Sequence, residues 1–131
     1  MKEFMLLIRN EIDHQKSWPE AKHKKFLKSC ENYIDRLKRG NHLIAAQPLM
    51  REGKIISGSI GTWKESPIGK SKEVQVGYYL IRADNISEAI TLAKENPEFE
   101  FSASAKIEVR PVKMKEETTG FVYPKEINSK P

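Results

Sequence analysis

The chain has 131 residues, enough for one domain around a single core, and its 38% hydrophobic and 31% charged residues place it with soluble globular proteins. A mean hydropathy of −0.62 implies a heavily charged exterior, and the longest apolar run near the N-terminus, Phe4 to Ile8, is too short for a membrane span or a signal-peptide core. A cytoplasmic protein without membrane contact is therefore expected, and the single Cys30 excludes an intramolecular disulfide.

The net charge of +5 is concentrated between His14 and His42, where eight Lys or Arg face three acids. Phe26 and Tyr33 fall on the apolar stripe of that segment rather than among its basic residues. A solvated helix face is thus preferred over a nucleic-acid surface, which needs exposed rings interleaved with the charges. Asn85-Ile86-Ser87 matches the glycosylation pattern only formally, because nothing directs the chain to the secretory pathway.

In chain order, Phe4 to Ile8 reads as a strand whose unbroken apolar run implies that both its sides are covered. Ser17-Trp18-Pro19-Glu20 has the form of a capping box, and Phe26, Leu27, Cys30, Tyr33, Ile34 and Leu37 then recur at helical spacing until Gly40-Asn41 supplies a left-handed stop. Leu43 to Leu49 is a second strand. Gly53 turns the chain into a third, Lys54 to Ile60, expected to pair with the second as a hairpin. Two glycines, Pro67 and several charges make Gly61 to Ser71 a loop. Val74 to Arg82 is the next strand. It passes into a helix capped by Asn85 with Glu88 three residues on, lined by Ile86, Ala89, Ile90 and Ala93 and closed by Asn96-Pro97. Ala105 to Val112 alternates as a last strand with one wet face. The chain divides into a domain of residues 1–113 and a polar tail, 114–131, in which Phe121, Val122 and Tyr123 stand out.

This order, β-α-β-β-β-α-β, describes an α+β fold of ferredoxin-like split βαβ type, with two helices on one face of the sheet. Large side chains occupy both alternating sets of Val74 to Ile81, yet two helices cover one side only. At about 25 cal/mol per Å2, leaving several such side chains in water forfeits several kcal/mol, so a second copy packed sheet to sheet is expected: a homodimer.

Most chemical signatures are missing. His14, His23, His42 and Cys30 have no metal-ligand spacing, so neither a metal nor an organic cofactor is expected. Gly69-Lys70-Ser71 resembles the end of a phosphate loop, but the earlier glycine position is Lys64 and a strand follows instead of a helix. Ser57-Gly58-Ser59-Ile60-Gly61 has Ser57 where a nucleophile elbow needs its first glycine. Cys30 reads as a packing residue whose thiolate is disfavoured by desolvation. Trp63 and Glu65 lie in the long loop, where a ring and a carboxylate can close over a small-molecule ligand. Gln47 and Tyr78 are polar groups within apolar strands that need a hydrogen-bond partner or line a cavity. The candidate pocket is therefore Gln47, Trp63, Glu65, Tyr78 and Cys30.

LIAAQPL at Leu43 to Leu49, KEVQVGYYLIR at Lys72 to Arg82 and KIEVRPV at Lys106 to Val112 resemble, in order and spacing, the YCII-related family including its DGPF branch, over about Met1 to Lys113. The resemblance implies a ferredoxin-like dimeric α/β barrel. It also aligns the DGPF motif with Glu65-Ser66-Pro67-Ile68, and it places Cys30 where the family has the helix histidine suspected as half of a His-Asp catalytic pair. Two functions follow: a binding module for a small metabolite in a cleft between sheet and helices, regulatory if like the DGPF domains fused to sigma factors, or an enzyme using Glu65 and a polar group of the cleft as acid and base.

Overall fold

The computed structural model describes residues 1–70 and 72–124; Ser71 of the phosphate-loop-like triplet and residues 125–131 of the tail lie outside the described residues. Four strands, β1 (Lys2–Glu11), β2 (Leu43–Pro48), β5 (Glu73–Ala83) and β6 (Lys106–Pro111), form an antiparallel sheet in the order β2-β5-β1-β6. The helices are α1 (Glu20–Arg39), α2 (Ile86–Lys94) and a short α3 (Glu98–Phe101). The arrangement is an α+β architecture consistent with a ferredoxin-like fold. Among the described residues no helix is long and apolar enough to cross a membrane.

The core lies on one side of this sheet. Phe4, Leu6 and Ile8 of β1 pack with Tyr79, Ile81 and Ala83 of β5, against Tyr33 and Leu37 of α1 and Ala89 and Ala93 of α2. Because successive side chains of a strand point to opposite faces, Met5 and Leu7 fall on the other face and are only half-buried. Within one chain the helices therefore cover one phase of this apolar run and leave the other phase open. Beside Met5 and Leu7 on the open face are Tyr78 and Leu80, with ion pairs from Arg9 to Glu73 and Glu108 at 3.5 and 3.6 Å toward one end. A bulge between Ile8 and Arg9 shifts the register, so Val74 and Val76 share the core side with Gly77 and Tyr79 across a change of phase. Gly77 is needed there: a Cβ would lie 3.1 Å from the Gln47 carbonyl oxygen and 3.3 Å from Pro48 Cα.

The helix ends divide. Asn85 caps α2 as its sequence predicts, its Oδ1 accepting from the Glu88 amide at 2.9 Å while Glu88 Oε1 accepts from the Asp84 amide at 2.8 Å. At α1 the capping box does not form. Pro19 is the N-cap residue and no side chain caps the helix, because the preceding turns use their own backbone, with the Trp18 amide donating to Gln15 O and the Lys16 amide to Asp13 O. Trp18 instead packs edge-on against Phe26, with ring centroids 5.3 Å apart. At the other end Asn41, not Gly40, takes the left-handed conformation, with φ of 62°. The Tyr33 hydroxyl donates to Leu92 O at 2.7 Å and ties α1 to α2.

The third strand departs from expectation. β3 (Lys54–Ser59) pairs not with β2 but with β4 (Thr62–Pro67), a strand formed within the segment read as a loop. Ile60-Gly61 is the connecting turn, with Gly61 at φ of 89°. This two-stranded ribbon leaves Ile55, Ile56, Ile60 and Trp63 exposed. A turn of 3-10 helix, Ile68–Lys70, returns the chain to the sheet. After β6 the chain folds on itself through a bridge between Lys115 and Val122, with Phe121 and Tyr123 in edge contact.

Candidate functional site

Between α1 and the β2-β5 side of the sheet lies a cavity of about 990 Å3. Phe26, Leu27, Cys30 and Ile34 of α1 form one wall, facing Ala46, Val76 and Tyr79 of the sheet. The change of phase at Gly77 brings both Val76 and Tyr79 to this side. Asp13, Lys16, His23, Glu31 and Arg51 stand around it, so both signs of charge are present. Arg51 is held by its own donors, Nε to Ile12 O at 3.1 Å and Nη1 to Leu49 O at 2.7 Å.

The inner end is polar. Asn96, between α2 and α3, and Glu98, the first residue of α3, line the cavity and are 3% and 6% exposed. Glu98 Oε2 accepts from Asn10 Nδ2 at 3.2 Å and lies 3.5 Å from His14 Nε2. Asn10, fully buried at the end of β1, also accepts from Ser104 Oγ at 2.6 Å and donates to Ser102 Oγ at 3.1 Å. His14 Nδ1 is 3.2 Å from the Glu11 carbonyl, which can only accept, so Nδ1 carries the proton in that bond. His14 Nε2 is buried without a hydrogen-bond partner among the described residues. Asn96 Oδ1 accepts from the Glu98 amide at 2.8 Å, which fixes the orientation of the carboxamide, and its Nδ2 is buried without a hydrogen-bond partner among the described residues.

The sheet and helix set the character of the neighbouring groups. Burial pushes the Cys30 thiol up to about 11, with the nearby Glu98 charge adding to the effect. The Tyr79 hydroxyl is also pushed well above its ordinary value, first by burial and then by Cys30 and Glu98. Both groups are therefore neutral at ordinary pH and present donors to the cavity. No group of three or more His, Cys, Asp or Glu able to hold a metal is gathered among the described residues.

Of the residues singled out in the sequence, Cys30 and Gln47 border the cavity. Cys30 is half-buried on its wall and is not part of the core cluster, which corrects its reading as a simple packing residue. Tyr78 pairs with Gln47 and takes the strand phase opposite to the buried Tyr79. Trp63, 61% exposed, and Glu65 lie on the β3-β4 ribbon and do not line the cavity. Asn10, His14, Asn96 and Glu98 were not among the residues that the sequence assigned to a pocket. The available signal was Asn10 continuing the buried phase of Phe4, Leu6 and Ile8.

Compared with known families, residues 3–113 match the model of the YCII-related domain. The chain belongs to the YCII-related family. Comparison with curated proteins gives no match. In this YCII-related domain the conspicuous buried acid-base pair is His14 with Glu98, contributed by the segments after β1 and α2 rather than by the middle of α1.

Proposed function

We propose that this YCII-related protein binds a small, largely apolar metabolite in the cavity between α1 and the sheet. The observation that carries the reading is an apolar space of about 990 Å3 ending on a buried polar group with an unused donor, Asn96 Nδ2. A binding role is favoured over an enzyme built on Glu65, because Glu65 stands on the exposed ribbon. If acid-base chemistry takes place in the cavity, Glu98 with His14 is the pair positioned for it. Titration with the neutral fluorophore N-phenyl-1-naphthylamine tests the reading. Saturable binding at one site per chain, weakened about tenfold by filling the mouth with Leu27→Trp, is expected; absence of saturable binding refutes it.

The same proposal includes a cytoplasmic homodimer whose two sheets face one another as a dimeric α/β barrel, with residues 1–113 as the domain and 114–131 as a tail. Supporting it are Met5, Leu7, Tyr78 and Leu80, half-buried on the face that no helix covers, and a ribbon too short to be stable alone that carries exposed Ile55, Ile56 and Ile60. Sedimentation should give a dimer at micromolar concentration and a folded monomer for Leu80→Arg; a monomeric native protein overturns this part.

A further inference from the structure

The inner end of the cavity has a specific hydrogen-bonding signature. Asn96 offers a donor only: its Oδ1 is occupied by the Glu98 amide, while Nδ2 is buried and without a partner among the described residues. Glu98 offers an acceptor. Its Oε2 is engaged by Asn10 and faces His14, whereas Oε1 makes no hydrogen bond among the described residues. The two groups are two residues apart on the same turn and both line the cavity. A buried donor left unmade costs as much as a lost hydrogen bond, so the site favours an occupant that supplies an acceptor to Asn96. A second anion beside the Glu98 carboxylate would meet a like charge in a space that water screens poorly. His14 lies behind Glu98 and does not line the cavity, so the carboxylate is the nearer charge. The mouth, with Asp13 and Glu31 as well as Lys16 and Arg51, adds no preference for an anion.

We propose that the ligand carries an uncharged hydroxyl on an aromatic or alicyclic body, the oxygen accepting from Asn96 Nδ2 and the proton donated to Glu98. A hydroxyl has the same pairing capacity as one water molecule, so it can take the place of water at this end without leaving either protein group unpaired. A carboxylate or phosphate head satisfies Asn96 but is repelled by Glu98, and a bare hydrocarbon satisfies neither. The proposal rests on the cavity being a ligand site, and the test separates the two ideas.

Displacement of N-phenyl-1-naphthylamine at pH 7 by 2-naphthol, naphthalene and 2-naphthoate compares three heads on one body. The expected order is naphthol about tenfold tighter than naphthalene, with naphthoate weakest. Asn96→Ala removes the donor and adds no charge, so the naphthol advantage should shrink to below about threefold while naphthalene binds as before. Glu98→Gln should strengthen naphthoate by at least tenfold. Equal binding of naphthol and naphthalene by the native protein, or naphthoate as the tightest ligand, overturns the hydroxyl assignment while leaving the cavity as a ligand site. Retention of the full naphthol advantage in Asn96→Ala overturns it equally. Failure of the fluorophore itself to bind overturns the cavity reading and this proposal with it. The ranking measured on the native protein decides the matter even if a variant does not fold.

Discussion

Replacing Asn10 by aspartate changes one buried NH2 to oxygen and leaves the shape of the side chain unaltered. In the native protein Asn10 Nδ2 donates to Glu98 Oε2 at 3.2 Å. Two ionised carboxylates at that separation would repel by about 5 kcal/mol at an effective dielectric of about 20. Keeping one of them protonated at pH 7 costs less, about 4 kcal/mol for a carboxyl of ordinary pKa near 4, and the proton restores a donor between the two. The Asn10→Asp penalty at pH 7 is therefore about 4 kcal/mol, falling to about 1.4 kcal/mol at pH 5. The sign follows from linkage: the shared carboxyl has a folded pKa above its unfolded value, so the stability it retains below pH 4 is lost as pH rises through the folded value. For a chain of 131 residues the melting temperature should fall by about 15 °C at pH 7 and by about 5 °C at pH 5, relative to the native protein at the same pH. Thermal melts followed by circular dichroism measure both. A deficit under 3 °C at pH 7, or one equal at the two pH values, would refute the assignment of Asn10 as the donor that makes the buried Glu98 carboxylate tolerable.

Two further outcomes follow from particular residues. With the Cys30 thiol pushed up to about 11 from an ordinary value of 9.0, the native protein should react with a thiol reagent at pH 7 about a hundredfold more slowly than the unfolded chain, and the difference should close as pH approaches 11. Equal rates at pH 7 would show that Cys30 is not desolvated. Removing the cap of α2 with Asn85→Ala should cost about 1 kcal/mol, a fall of about 3–4 °C in melting temperature, with the cavity fluorophore bound as before. A change below 1 °C would mean that α2 is held by Ala89 and Ala93 alone.

The elements legible in the sequence are those whose signals are local. Asn85 and Glu88 sit three residues apart and cap α2 with each other's help; the stripe from Phe26 to Leu37 locates α1, and its stop falls at Arg39. Where two local signals compete, the reading fails. Ser17 and Glu20 have capping-box spacing, but the turns from Asp13 to Trp18 satisfy the backbone first, and Trp18 is drawn to Phe26. Gly61 and Pro67 read as loop markers, although Gly61 is the turn of a hairpin and Pro67 its last paired residue. The inner end of the cavity was hidden for a different reason. Asn10 and Glu98 are 88 residues apart and meet only because β1 lies beside β6 and α3 precedes β6. No periodicity of a single segment encodes that meeting.

The bulge opposite Ile8 and Arg9 divides the central strands into two lengths whose pleats run out of step. Toward Ala83, β5 sends odd-numbered residues inward; before Gly77 it sends even-numbered ones. Substitutions beside the cavity and at the buried centre thus fall on different positions of the strand, apart from Tyr79, which serves both. Val76 of the even series borders the cavity together with Tyr79, while Ile81 and Ala83 of the odd series pack only in the core beneath the helices. A fold divided in this way can change the shape of its cavity through a few side chains at one end while its framework is inherited intact.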